Sequence, residues 1–338
     1  MSTNTQNLTK ADYAGKPSTL CKGCGHDSIT NAIIQAYFEL GVNPTQVIKL
    51  SGIGCSSKTP TYFMEKGHGF NSVHGRMPSV ATGANVANYR LPTIGVSGDG
   101  DTGSIGLGQY MHAARRNVDM VYIIENNGTY GLTKGQFSAT ADLGSPAKRG
   151  TPNPFPCIDC CAVAIDAGAT FVARSFSGDR KQLISLIKAA YSHRGLAVLD
   201  VVSPCVTFNN HEGSTKSYDW VKEHDIPLQE LQYVPEKEEI EVEMKEGDVR
   251  TIELHDGSHL TLRKLGKEHD PSDRASALKL IHDGVDNKEL VTGLLYYNPE
   301  MPDHNGILNL SPTPLVEFGE KDLDPGPEVI KKLNASMK

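Results

Sequence analysis

Short apolar runs ending in small or polar residues alternate with segments whose apolar positions recur every three to four residues. This pattern covers the chain from about residue 20 to residue 205. The run Leu91 to Val96 leads into Gly98-Asp99-Gly100-Asp101, a helix-like stretch follows from Ser104 to Arg116, and a second run, Met120 to Ile124, ends at Asn126-Asn127. Strand, turn, helix, strand is one βαβ unit, whose crossover is almost always right-handed. The same alternation predicts a helix over Asp27 to Leu40, with Ile29, Ile33, Ile34, Tyr37 and Phe38 on one face and Gly41 at its end. It also predicts a strand over Gln46 to Leu50 and a small-residue helix over Val80 to Tyr89, with Pro78 suited to a first turn. Phe171 to Arg174, Lys181 to Tyr191 and Leu196 to Val202 read as strand, helix, strand. The fold class that follows is α/β, a mostly parallel sheet with helices on both faces.

Beyond this stretch the pattern changes. Ile240, Val242 and Met244 alternate with acids, and Val249 to Leu254 and Leu260 to Leu265 are further β-like runs, the last two joined by Asp256-Gly257 as a tight turn. A small antiparallel meander appended to the surface is expected there. Ser272 is placed to cap a helix over Asp273 to His282, and Leu290 to Tyr297 reads as a final strand. The Pro-rich tail from Pro299 to Lys338, with a short helix at Glu328 to Asn334, is expected to embrace a partner. Residues 1–19 have no periodicity and read as a loose arm. The expected organisation is an arm (1–19), an α/β domain (20–225) and a C-terminal extension (226–338). The polar stretch from Phe208 to Asp225, with Asn209, Asn210 and the single Trp220, predicts no element.

Composition narrows the function classes. Of 338 residues, 38% are hydrophobic and 22% charged, as in a globular protein with a sizeable core. A net charge of −7 argues against a nucleic-acid or anionic-membrane surface. No apolar run has the length of a membrane span, and Met1 to Lys10 is polar, so a cytoplasmic protein is expected. The seven cysteines are then assigned to metal binding or burial, because disulfides are rare in that compartment.

In a parallel βαβ unit Asp99 and Asn127 emerge side by side at the carboxyl ends of their strands, where open α/β sheets bind ligands. One anionic and one neutral oxygen suit Mg²⁺, which completes its shell with water and substrate phosphates. Gly98 and Gly100 let the backbone approach a diphosphate. Either motif alone is ordinary turn chemistry; their pairing across one helix is what points to a metal–diphosphate seat. Cys21 and Cys24 form a C-x-x-C whose spacing admits zinc, a redox disulfide, an iron–sulfur cluster or no ligand. No strand precedes it, and Cys55 has no paired thiol beside it as a zinc ribbon requires. Three thiolates with a distant fourth suit a [4Fe–4S] cluster better, with zinc still open on spacing. Cys55, Asp99, Asn127 and Cys205 all follow predicted strands, which puts them on one sheet edge. The helix after Cys24-Gly25-His26 directs its dipole at an anionic group there, and His26 reads equally as a cap, a packed residue or a donor to sulfide. Lys134, in the loop after the second metal strand, is the candidate for a charge facing substrate. Cys157, Cys160 and Cys161 lack a nearby fourth ligand and run into an Ala-rich helix, so they read as structural.

Gly98-Asp99-Gly100 with Asn126-Asn127 resembles the thiamine diphosphate motif. Cys21-Lys22-Gly23-Cys24-Gly25-His26, Ser51-Gly52-Ile53-Gly54-Cys55, His74-Gly75-Arg76, Val80-Ala81-Thr82-Gly83 and Tyr130-Gly131-Leu132-Thr133-Lys134-Gly135-Gln136 resemble the β subunit of 2-oxoacid:ferredoxin oxidoreductases, most of all the 2-oxoglutarate enzyme. The likeness is dense from about Leu20 to Cys205 and thin afterwards. It implies the thiamine diphosphate type of sheet, with Mg²⁺ held by Asp99, Asn127 and the carbonyl of Thr129. It implies a [4Fe–4S] cluster on Cys21, Cys24, Cys55 and Cys205, which lowers the standing of zinc. It puts Ile53 against the thiazolium and Lys58 near substrate or diphosphate, and it makes His74 and Arg76 cofactor contacts, Arg because its fork matches phosphate oxygens. Gly52, Gly98, Gly100, Asp101, Thr129, Gly131, Leu132 and Thr133 complete the implied cofactor set. Lys22 departs from the Pro usual in the family.

Nothing in the chain resembles the half of the site that offers a glutamate to the pyrimidine. The resemblance therefore implies an α partner that supplies that glutamate and part of the coenzyme A site, in an αβ or (αβ)₂ assembly. No compact run of four cysteines is present, so one cluster and a separate ferredoxin are expected. The implied reaction converts a 2-oxoacid and coenzyme A to acyl-CoA and CO₂ with reduction of ferredoxin. Rival readings are the same chemistry on pyruvate or another 2-oxoacid, a thiamine diphosphate decarboxylase with structural zinc, and a non-catalytic protein with a zinc-held arm.

Overall fold

The structure, a computed structural model, describes residues 3–145, 151–207, 240–253, 259–287 and 289–337. Its centre is β4 (Met120–Asn126), buried at every residue but the last. A strand covered on both faces reads as a continuous apolar run, which is why Met-Val-Tyr-Ile-Ile predicts it. Beside it lie β3 (Thr93–Gly98), β1 (Ile48–Ser51) and β2 (His68–Asn71) on one side, and β8 (Leu196–Val202), β7 (Phe171–Phe176), β11 (Glu289–Tyr297), β10 (His259–Lys264) and β9 (Val249–Glu253) on the other. The order is β2-β1-β3-β4-β8-β7-β11-β10-β9, and β5 (Thr129–Tyr130) pairs with β6 (Gln136–Phe137) in a separate two-stranded ladder. The first six strands are parallel, and β11 runs antiparallel to β7.

Side-chain alternation along the strands divides the core into two layers. Val121 and Ile123 face α1 (Gly25–Leu40) and α5 (Arg180–Ser192). Tyr122 and Ile124 face α2 (Met77–Ala87), α3 (Leu107–Arg116), α4 (Cys160–Ala167) and α6 (Arg274–Asp286). Cys160 and Cys161 are buried in this second layer, as expected of structural thiols, while Cys157 is exposed. No described helix is long and apolar enough to cross a membrane.

Several expectations shift. The helix after Gly98 does not start at Ser104. Residues Asp101–Ile105 form a wide turn closed by Gly106 N–H on the Asp101 carbonyl at 2.8 Å, and α3 begins only at Leu107. Turns of this width inside helices are frequent at functional sites. The arm is not loose where described. Tyr13 is fully buried, donates to the Val42 carbonyl at 2.6 Å, and is followed by a bridge between Ala14 and Phe63. One anchoring aromatic leaves no periodicity to read.

At the other end, β9 and β10 form the expected antiparallel pair, but they extend the main sheet through β11 instead of standing apart from it. Residues 240–245 are not a strand. Val242 N–H bonds the Gly178 carbonyl at 3.1 Å, and its side chain packs with Phe176 and Leu262, so alternation there reflects one buried contact. The α6 cap is Asp273, which accepts from Ala275 and Ser276 N–H; Ser272 bonds Asp270 instead. The Asp256-Gly257 turn, residues 236–239, Asn209, Asn210 and Trp220 lie outside the described residues.

Asn117 ties the amino-terminal edge of the sheet together. Left-handed at the end of α3, it accepts from Leu196 N–H at 2.7 Å and Thr170 Oγ1 at 2.8 Å, and donates to the Pro302 carbonyl at 3.0 Å. Asn117→Leu would leave the buried Leu196 N–H without its acceptor, so a loss of about 2 kcal/mol in denaturant unfolding is expected.

His193, buried against Phe171 and Tyr297, has its pKa pushed down to about 4 by desolvation. The unfolded chain therefore binds the extra proton between pH 6.5 and 4, and stability present above 6.5 is lost as pH falls through that window. His193→Gln should flatten this part of the denaturation-midpoint profile against pH.

Candidate functional site: one sheet edge with a metal–diphosphate seat and four thiols

The adjacent parallel strands β1, β3, β4 and β8 release their carboxyl ends onto one edge. Asp99 directly follows β3 and Asn127 directly follows β4, while Cys55 and Cys205 stand in the loops after β1 and β8. Strand register aligns Gly98 with Glu125, which puts the Asp99 and Asn127 turns side by side.

Asp99 is only 2% exposed. Its Oδ1 accepts from Asn127 N–H at 3.3 Å, and its Oδ2 accepts from Thr140 Oγ1 at 2.6 Å and from Ser138 Oγ. Burial holds its carboxyl above the usual range in spite of these bonds. No ion pair with a Lys, Arg or His serves it among the described residues. A buried carboxylate without a counter-charge suits a divalent cation. Asn127 Oδ1 caps its own turn by accepting from Thr129 N–H at 3.0 Å, so both donor side chains are held in place. A Cβ on Gly100 would lie 2.5 Å from the Tyr130 ring, whose hydroxyl donates to the Gly100 carbonyl at 3.0 Å. The donor set and the glycine cradle fit Mg²⁺ and a diphosphate.

Ile53, Cys55, His74, Gly98, Asp99 and Gly100 line one cleft, together with Asp101, Asn127, Thr129, Gly131, Leu132 and Thr133. Asp101 faces this cleft, and each of its oxygens holds one donor: Oδ1 accepts from Gly75 N–H at 2.8 Å and Oδ2 from Ser97 Oγ at 2.9 Å. It fastens the His74-Gly75 loop to β3. Gly52 lies behind it, where a Cβ would fall 1.9 Å from Asp101 Oδ2. Three expected residues stand apart from the lining. Arg76 is exposed, with Nη1 3.4 Å from the Gly75 carbonyl, and Lys134 is exposed at a left-handed φ of 79°. Lys58 sits in the turn Ser56–Thr61 behind Cys55, and its charge lowers the pKa of that thiol.

Cys21, Cys24, Cys55 and Cys205 share one electrostatic neighbourhood. Burial first, then the charges of Cys205 and Cys21, push the Cys55 thiol up; burial, with Glu125 and Cys205, does the same to Cys24. No group of three or more His, Cys, Asp or Glu among the described residues stands close enough to hold a single metal ion. Cys24 caps α1, so the positive end of that helix faces the thiols.

Sequence reasoning missed Glu125 and the pair Ser138 and Thr140. Glu125, fully buried at the cleft floor, accepts from Thr59 Oγ1 at 2.9 Å, and its Oε2 lies 3.2 Å from His26 Nδ1 without hydrogen-bond alignment. Burial pushes its carboxyl well above the usual range and lowers His26 to about 4, so His26 is neutral near pH 7. An acid closing an apolar run was the available signal. Ser138 and Thr140 lie in a polar loop and gave none.

Residues 52–201 match the family described as thiamine pyrophosphate enzyme, C-terminal TPP binding domain. The chain is 47% identical over 191 residues to a 2-oxoacid:ferredoxin oxidoreductase subunit beta of a Sulfolobus species, an alignment covering 56% of this chain and 63% of that one. It is 35% identical over 264 residues to the 2-oxoglutarate synthase subunit KorB of Methanocaldococcus jannaschii, covering 75% of this chain and 95% of that one. Against two relatives it spans less than two thirds of their length, 63% and 65%. A solved structure, 2-oxoglutarate:ferredoxin oxidoreductase from Magnetococcus marinus with 2-oxoglutarate, coenzyme A and succinyl-CoA bound, superposes with a TM-score of 0.70 at 30% identity, over 94% of this chain and 95% of that one. With a cleft of the thiamine diphosphate kind at the edge of such a sheet, the chain belongs to the family of 2-oxoacid:ferredoxin oxidoreductase β subunits.

Proposed function

We propose that this chain is the thiamine diphosphate, Mg²⁺ and [4Fe–4S] half of an enzyme that converts 2-oxoglutarate and coenzyme A to succinyl-CoA and CO₂ while reducing ferredoxin, in a reaction reversible in principle. The observation that carries the reading is the placement of Asp99, Asn127, Cys55 and Cys205 at the ends of four neighbouring parallel strands. It supports a diphosphate seat next to a one-electron acceptor, which a simple decarboxylase does not need. The names of the relatives favour 2-oxoglutarate over pyruvate.

In this reading Asp99, Asn127 and the Thr129 carbonyl hold Mg²⁺, and Gly98, Gly100 and Gly131 admit the diphosphate. Bound thiamine diphosphate supplies the electron sink for loss of CO₂ from the 2-oxoacid. Ile53 and Leu132 offer apolar contact at the cleft, and Cys21, Cys24, Cys55 and Cys205 hold the cluster. Lys58, His74, Arg76, Lys134 and Thr133 remain the candidates for charge and hydrogen bonds toward diphosphate or substrate.

An α subunit completes the site. Glu125 lines the cleft, but it stands beside His26, two residues from Cys24, and accepts from Thr59. It therefore belongs to the thiol side, and the pyrimidine glutamate is left to a partner. Leu132, in the cleft lining, is about half exposed, which suits such a partner.

The full chain co-purified anaerobically with its α partner should be brown and should reduce a low-potential dye with 2-oxoglutarate and coenzyme A. A colourless, zinc-containing complex, or no reduction with any 2-oxoacid, would overturn the reading; preference for pyruvate would overturn only the substrate. The two cofactor sites should also separate by mutation. Cys205→Ser should bleach the visible absorption and keep thiamine diphosphate binding. Asp99→Asn should keep the colour and weaken thiamine diphosphate binding at least about tenfold, about 1.4 kcal/mol, as measured by calorimetry with Mg²⁺ present.

A further inference from the structure

Three of the roughly four lone-pair sites of the Asp99 carboxylate face donors. Its Oδ2 already faces two hydroxyls, Ser138 Oγ and Thr140 Oγ1, and its Oδ1 faces Asn127 N–H. A cation binding this carboxylate must displace one of them or take what they leave. Thr140 has a second acceptor in reach. Its Oγ1 lies 2.6 Å from Asp99 Oδ2 and 2.9 Å from Asn126 Oδ1. A hydroxyl carries one hydrogen, so it serves one of the two acceptors at a time.

Which end of the Asn126 amide faces Thr140 is set from behind. Asn126 Nδ2 donates to Asp200 Oδ1 at 3.0 Å, and this turns Oδ1 toward Thr140. Asp200 is 1% exposed, and its other oxygen accepts from Arg174 Nε at 2.9 Å. Arg174, 5% exposed, also binds Asp159 through Nη2 at 2.6 Å, and Asp159 caps α4 by accepting from Ala162 N–H at 2.9 Å. A guanidinium is always charged. It keeps Asp200 an acceptor, so the amide cannot flip without setting its own oxygen against a carboxylate.

We propose that Asn126 is a positioning residue for the metal seat: oriented by Asp200 and Arg174, it takes the Thr140 hydroxyl hydrogen and so frees a lone pair of Asp99 Oδ2 for the cation. The inference rests on Asp99 being a metal ligand, and it assigns a task to the first asparagine of the pair as distinct from Asn127. It also explains why a buried Arg–Asp–Asp group stands behind β4 and β8, where apolar residues would pack at lower desolvation cost.

The test is a double-mutant cycle on Mn²⁺ affinity, with Mn²⁺ standing in for Mg²⁺ and the free ion counted by EPR. It uses the full chain with its α partner at saturating thiamine diphosphate. Asn126→Ala should weaken Mn²⁺ binding roughly tenfold, within the range for groups that orient a metal ligand. In a Thr140→Val chain, where no hydroxyl competes for Asp99, the same change should have no effect. An equal loss in both backgrounds would overturn the proposal, because Asn126 would then act by shaping the Asn127 turn. No loss in either background would overturn it as well. Should Asn126→Ala lower the melting temperature too far to measure, Asp200→Asn is read in the same two backgrounds with the same criteria. If the parent complex bound no Mn²⁺ at all, the proposed function would fail before this inference was reached.

Discussion

Parallel alignment of four neighbouring strands is the constraint on which the rest depends. Because β1, β3, β4 and β8 point the same way, whatever follows each of them lands on one edge. Residues distant in sequence, from Cys55 to Cys205, then meet without any of them being adjacent along the chain. The covering helices make this arrangement stable. A parallel sheet buried on both faces needs apolar runs rather than alternation, and β4 and β8 supply them.

Charge buried at that edge is the second theme. Arg174, Asp200 and Asp159 satisfy one another within the fold. Glu125 and His26 lie together on the thiol side of the cleft, burial raising the acid and lowering the imidazole. Asp99 has only neutral donors around it. Burial is costly for an isolated carboxylate, so the protein makes a site whose missing element is positive charge. The thiols show the same imbalance: Cys24 and Cys55 are pushed up by burial and by each other's neighbours.

How much of this could be read from sequence depended on periodicity. β8 matched its apolar run residue for residue, and β3 and β4 were displaced or extended by two residues, because buried parallel strands announce themselves. The edge position of Asp99, Asn127, Cys55 and Cys205 followed from that alone. What escaped depends on contacts that leave no period. Tyr13 anchors an apparently featureless arm through a single hydrogen bond to Val42. Ser138 and Thr140 reach Asp99 from a loop about forty residues away in sequence. The bonds by which Asp101 ties the His74-Gly75 loop to β3 likewise left no signal in the sequence. The two-strand C-terminal hairpin was legible, but its union with the main sheet through β11 was not, since strand order is a long-range property.

The central claim is that the thiamine diphosphate seat and the cluster share one edge and exchange electrons. Freeze-quench EPR tests it most directly, after 2-oxoglutarate and coenzyme A are mixed with the anaerobic αβ complex in the absence of ferredoxin. The account predicts that the signal of a reduced [4Fe–4S] cluster grows within turnover, with iron and thiamine diphosphate both bound. A complex that releases CO₂ while its cluster stays oxidised and EPR-silent throughout would contradict it.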